Sequence, residues 1–344
     1  MDSLADPIPS TARDHGGNLD AAMARFGGDR AAWLDLSTGI NPDPYPVPPI
    51  PAEAWAVLPR RSDMARLIAA ARAAYGCPAR IVAVNGAQGA IQIVPMLRAP
   101  GRAAVLAPTY NEHAAALRAG GWEVTEARDL DALAGADLAV VVNPNNPDGR
   151  RTPPEALAAL AGRVGLLVVD ESFGDPEPGL SLAPRLGSEL PNVVVLRSFG
   201  KFYGLAGLRL GFALAHGALG DRLAELAGPW PVSGPAIEIA SAALLDKDWQ
   251  TETTARLTHG AAKLDALARG AGWQLVGGSP LFRTYATPDA RAAQEHLAAR
   301  RIWTRVFPYS ESWIRLGLPP SDRWDQLEAA LTSRELRTPR PAAP

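Results

Sequence analysis

A chain of 344 residues with a net charge of −2 and 20% charged side chains offers no broad cationic face to nucleic acid or to an anionic membrane surface. Its 47% hydrophobic content is ordinary for a soluble globular protein, and the length suits one large domain plus a smaller one. A lone cysteine, Cys77, excludes an internal disulfide framework; with no signal-like start and no apolar run of about 18 residues, the expected location is cytoplasmic.

Residues 1–14 show no period and read as an arm. His15-Gly16-Gly17-Asn18 opens a helical pattern through Phe26, and 33–37 reads as a short strand. The proline-rich stretch 38–59 is expected to cross the surface in extended form. A helix over 63–75 stops at Gly76 and Pro78. Strands then alternate with helices: 81–84, 103–106, 122–125, 138–142, 166–169 and 193–196. That alternation predicts an α/β protein with a mostly parallel sheet flanked by helices. A further strand over 208–213 follows a tight turn, which permits an antiparallel run. Composition changes around 230–236, and helices over 237–257 and 261–269 belong to a smaller α+β part. The division expected is 1–40 as arm and part of the small domain, 41–235 as the large domain, 236–332 as the small domain and 333–344 as a disordered tail.

Chemistry concentrates in Ser198-Phe199-Gly200-Lys201, at the end of the apolar run 193–196, where open α/β sheets place their ligands. Of 34 Lys and Arg side chains only Lys201, Lys247 and Lys263 are lysines, so an amine at 201 stands out against a background of guanidinium groups. A lysine whose pKa is lowered can form a Schiff base; an arginine cannot. Arg209 follows eight residues later across three glycines, placed to meet an anion such as a phosphate. Alone, the motif is equally a surface lysine in a glycine-rich turn. Neither a P-loop nor the penicillin-binding set of motifs is completed around it.

Other polar residues fall at the same strand ends. Asp170 closes a buried strand, though a lone Asp there also serves as a helix cap. Asn143-Pro144-Asn145-Asn146-Pro147 follows another and reads alone as a proline turn. Gly86-Ala87-Gln88 starts a helix whose free N–H groups suit a phosphate, and Tyr110 suits either a flat ring or the core.

In this order and spacing, residues 15–332 resemble the fold-type-I pyridoxal-phosphate enzymes of the aspartate aminotransferase superfamily. The resemblance implies pyridoxal 5'-phosphate as cofactor, a Schiff base to Lys201 and a pairing of Asp170 with the pyridine nitrogen. It implies Asn146 at the ring hydroxyl, Tyr110 stacked on the ring, and Ala87, Gln88, Ser198 and Arg209 around the phosphate. Arg315 matches the position that binds the substrate carboxylate, and a homodimer is implied. Phe173 replaces a tyrosine found in many relatives, and Leu58 stands where many supply a cross-subunit tyrosine.

Within the superfamily the sequence is most similar to the threonine-phosphate decarboxylases of cobalamin biosynthesis and next to the histidinol-phosphate aminotransferases. His15-Gly16-Gly17-Asn18, the segment Ser37 to Pro42 and Asp170-Glu171-Ser172-Phe173 favour the decarboxylase. On that likeness His15, Gly16, Asn41, Asn146, Arg305 and Arg315 are the expected contacts of a small phosphorylated amino acid, with Arg300 and Arg301 as rivals for the place of Arg305. The alternatives are the aminotransferase and, more remotely, a non-catalytic regulator on the same fold. No metal, nucleic acid or membrane is expected.

Overall fold

A computed structural model describes residues 15–333, so the arm expected over 1–14 and the tail from 334 lie outside the described residues. The first strand, β1 (Leu34–Asp35), is short. The next seven are β2 (Arg80–Asn85), β3 (Arg102–Leu106), β4 (Glu123–Ala127), β5 (Leu138–Val142), β6 (Leu167–Asp170), β7 (Val193–Ser198) and β8 (Leu210–Ala215). They form one sheet in the order β2-β8-β7-β6-β5-β3-β4. β8 runs antiparallel to both its neighbours and the remaining pairs are parallel, as the tight turn before it allows.

The sequence of β5, β6 and β7 is almost wholly Val and Leu, which suits strands buried on both faces. Alternation then divides them. Val141, Val169 and Val195 enter one core, Val140, Val168 and Val194 the other, and helices cover each. The parallel register pairs Val142 with Asp170 and Asp170 with Leu196. Polar residues that follow these strands therefore emerge along a single edge of the sheet.

The C-terminal part adds β9 (Gln274–Ser279), β10 (Phe282–Ala286), β11 (Ile302–Trp303), β12 (Arg305–Phe307) and β13 (Ser310–Gly317). Four of them make an antiparallel sheet in the order β12-β13-β10-β9, while β11 pairs in parallel with β1 and so ties the N-terminal stretch to the C-terminal one. The two helices expected over 237–257 and 261–269 are instead Gly234–Ala243 and a continuous 24-residue helix, Lys247–Gly270. The break comes where Asp246 accepts the Trp249 N–H at 3.0 Å as an N-cap. Gly260 is no terminator: a Cβ there would meet Leu318 Cδ1 at 3.0 Å, so it is a packing residue in mid-helix. The extended stretch over 38–59 is interrupted by a short helix, Ala52–Ala56.

Candidate active site

Asp170 ends β6 and is buried. Its Oδ1 accepts the Ser172 N–H at 2.9 Å and the Ser172 hydroxyl, and its Oδ2 lies 2.8 Å from His113 Nε2. Burial alone raises a carboxyl; here His113, with the two bonds from Ser172, outweighs it and holds Asp170 below the usual carboxylate range.

Lys201 sits on a single helical turn, Phe199–Phe202, directly after β7 rather than on an open loop. Among the described residues its Nζ has no hydrogen-bond or ion-pair partner, and the Phe173 ring lies 5.6 Å away. Burial first, then the charge of Arg315 with a smaller push from Arg209, lowers Lys201 to about 8 against the pull of Asp170. A lysine so placed is neutral, and therefore nucleophilic, more than two pH units sooner than one in water.

Ser198, at the end of β7, faces Gly211 of β8, and the Gly86 N–H donates to the Arg209 carbonyl at 3.0 Å. A Cβ on Gly86 would fall 2.6 Å from Arg209 Nη2, and one on Gly211 would fall 2.5 Å from the Ala87 nitrogen. Only glycine lets the start of the helix Gly86–Ile93, Ser198 and Arg209 close around one spot. A cavity of about 150 Å3 results, lined among others by Ala87, Gln88, Asp170, Ser198, Lys201 and Arg209. The Arg209 side chain is itself exposed on this chain.

A second cavity, about 280 Å3, is lined by His15, Gly16, Arg305 and Arg315 among others. Tyr110, Asn146, Phe173 and Lys201 border both cavities, so the two meet at the lysine. β12 and β13 set Arg305 directly opposite Arg315. Like charges across a ladder repel, so the pair is arranged for an anion. Arg315 is buried and aimed by two acceptors, the Asn146 amide oxygen and the Ser37 carbonyl, the latter at 2.6 Å. Arg300 bonds His296 and Arg301 the Phe26 carbonyl, and of the three it is Arg305 that borders this cavity.

Asn41 is a correction. It borders neither cavity; its side chain donates to the Phe202 carbonyl at 2.9 Å, its own N–H donates to the Lys201 carbonyl at 2.9 Å, and its amide oxygen takes Arg256. The first two of these bonds brace the backbone of the lysine turn.

A family model described as aminotransferase class I and II matches residues 61–332. The chain belongs to the aminotransferase class I and II family. Among its relatives is a threonine-phosphate decarboxylase of Pseudomonas aeruginosa, 45% identical over 92% of this chain and 97% of the relative. A second protein of that name, from Sinorhizobium sp, is 44% identical over 94% and 98%. The fold is shared with a histidinol-phosphate aminotransferase of Sinorhizobium meliloti solved in complex with pyridoxal-5'-phosphate: TM-score 0.79, 23% identity, 97% of this chain and 99% of that one.

Two residues of this family member escape a reading of its sequence. His113 and Glu112 follow Tyr110 in what looks like an ordinary helix start, yet their side chains reach Asp170, Gln88 and His15, far off along the chain. Below the site, Arg197 bonds Glu171 at 2.9 Å and Asp175 at 2.6 Å and lies over the Tyr75 ring, a buried charge cluster that anchors the loop after Asp170. Burial pushes both carboxyls up, and the guanidinium opposes it.

Proposed function

We propose that this protein is a pyridoxal-phosphate-dependent lyase that decarboxylates L-threonine O-3-phosphate to (R)-1-aminopropan-2-yl phosphate. The observation that carries the reading is the 45% identity to a threonine-phosphate decarboxylase across 97% of that relative. By the resemblance set out above, the product serves cobalamin biosynthesis in the cytoplasm. No helix among the described residues is long and apolar enough to cross a membrane.

The residues present fit the cofactor. A cradle that a Cβ would fill, the free amides of a helix start and the guanidinium of Arg209 suit a phosphate. An amine lowered to about 8, with no hydrogen-bond or ion-pair partner among the described residues, suits an aldehyde, and a buried carboxylate held below the usual range suits a pyridinium. When bound, pyridoxal phosphate supplies an electron-withdrawing ring that weakens the bonds to the substrate α-carbon. The chain's part is orientation and proton transfer. Arg305 and Arg315, with His15 and Gly16, hold the two anionic groups of the substrate so that the carboxylate is the group that leaves as carbon dioxide. Lys201 Nζ then delivers a proton to the α-carbon, so the carboxylate is replaced by hydrogen with no net oxidation. Asn146 borders both cavities, and its amide oxygen accepts from Arg315.

Arg209→Ala is expected to weaken retention of pyridoxal phosphate by about tenfold, the low end for a charge-assisted bond because the group is exposed. Titrating the apoprotein with cofactor by absorbance reads this, and an unchanged affinity removes Arg209 from the phosphate seat.

A homodimer completes the proposal. Trp55 at 68% exposure and Leu58 at 61% lie beside the loop where relatives supply a cross-subunit residue, an apolar surface that a second copy would cover. Sedimentation should give twice the 36.2 kDa chain mass. A fully active monomer contradicts it.

A further inference from the structure

Glu112 opens the helix Glu112–Ala119 two residues after Tyr110, and its side chain is only 7% exposed. A carboxylate taken out of water needs partners. The two oxygens of Glu112 face opposite sides of the site. Oε2 accepts Gln88 Nε2 at 3.1 Å, and Oε1 stands 3.0 Å from His15 Nε2. Gln88 borders the smaller cavity, assigned above to the cofactor, and His15 borders the larger one, assigned to the substrate.

The segment that carries His15 is held at its other end as well. The Gly17 N–H donates to Ser37 Oγ at 2.7 Å, and Gly16 presses so closely on the Ser37 carbonyl that a Cβ would fall 2.4 Å from it. That same carbonyl accepts from Arg315. His15 is thus pinned between Glu112 on one side and, through Ser37, the arginine clamp on the other. The imidazole is 42% exposed, and besides the carboxylate it has the Tyr110 ring 6.1 Å away between centroids.

We propose that Glu112 is a positioning residue for substrate binding: it fixes His15 against the substrate cavity and couples that placement to Gln88 in the cofactor seat. The substrate's anionic group then meets an imidazole already in place, so less freedom is lost on binding. A purely structural Glu at a helix start serves the helix dipole and does so from the surface. Glu112 is buried and bridges two cavities, which that role does not require.

The inference rests on the proposed decarboxylation for the identity of the ligand, and the test keeps the two apart. Carbon dioxide release from O-phosphothreonine by the unaltered holoenzyme decides the reaction; a mutant cycle decides Glu112. Glu112→Ala is expected to raise KM about tenfold with kcat within about threefold. The double variant with His15→Ala should have a KM within about twofold of His15→Ala alone, because the two residues act as a unit. Glu112→Gln, which keeps the volume and can still bond both neighbours, should raise KM by threefold or less and serves as the second variant if the alanine form does not fold. A readout free of substrate accompanies these: amide hydrogen exchange at Gly16 and Gly17 in the holoenzyme should quicken in Glu112→Ala. Additive KM effects in the cycle, a loss confined to kcat, or unchanged exchange at Gly16 and Gly17 would overturn the proposal.

Discussion

Lys201→Ala is expected to lower carbon dioxide release from O-phosphothreonine by about 10⁴-fold or more, because in the proposed reaction one side chain would both carry the cofactor and return the proton to the α-carbon. Lys201→Arg should fail as badly. It keeps a positive charge but cannot be deprotonated near neutrality. Borohydride treatment of the unaltered holoenzyme should fix pyridoxal phosphate to the peptide that contains Lys201, and to no other. The pH dependence follows from burial and from Arg315, which bring the amine to about 8. Below that value most of the amine is protonated, so uptake of pyridoxal phosphate by the apoprotein should quicken about tenfold per pH unit and level off above it. An amine in water would keep gaining to about 10.4. The same lowering has a stability sign. The folded apoprotein binds fewer protons than the unfolded chain between the two values, so it gains stability as pH rises through that window, and Lys201→Ala should lose that gain. Cofactor uptake that climbs past pH 9 without levelling contradicts the placement of Lys201.

The second large effect is expected at Asp170. Asp170→Asn keeps the shape and the bond from the Ser172 N–H but removes the negative charge that would face a protonated ring nitrogen, and kcat should fall about 10²- to 10³-fold. His113 would lose its ionised partner at the same time. Steady-state kinetics with saturating cofactor separate this from poor loading. The KM should move far less than kcat, and a variant with kcat within threefold of the unaltered protein rules the assigned role out.

Much of this site is visible in the sequence because its parts are local. Asp170, Asn146 and Lys201 each follow an apolar strand, and strand ends in a parallel sheet share an edge, so alternation alone brings them together. What stays hidden depends on contacts between distant segments. Arg305 is distinguishable from Arg300 and Arg301 only once β12 is in register with β13 and sets it opposite Arg315. Glu112 and His113 look like the polar first turn of a helix, yet their partners stand at positions 15, 88 and 170. Asn41 is recognisable as part of a motif, but the sequence does not show that it bonds the backbone of the turn that carries Lys201. Gly260 reads as a helix stop because glycine is a poor helix former; the packing of Leu318 and Trp324 against it outweighs that local cost of about 1 kcal/mol.

On the proposed function, the cationic cavity orients a phosphorylated amino acid for loss of its carboxylate, not for transfer of its amino group. Two mixtures test it directly. In the first, holoenzyme receives O-phosphothreonine alone; in the second it receives histidinol phosphate with 2-oxoglutarate. Stoichiometric carbon dioxide and aminopropanol phosphate are expected from the first and no glutamate from the second. Glutamate from the second mixture with no gas from the first contradicts it and assigns the site to amino transfer.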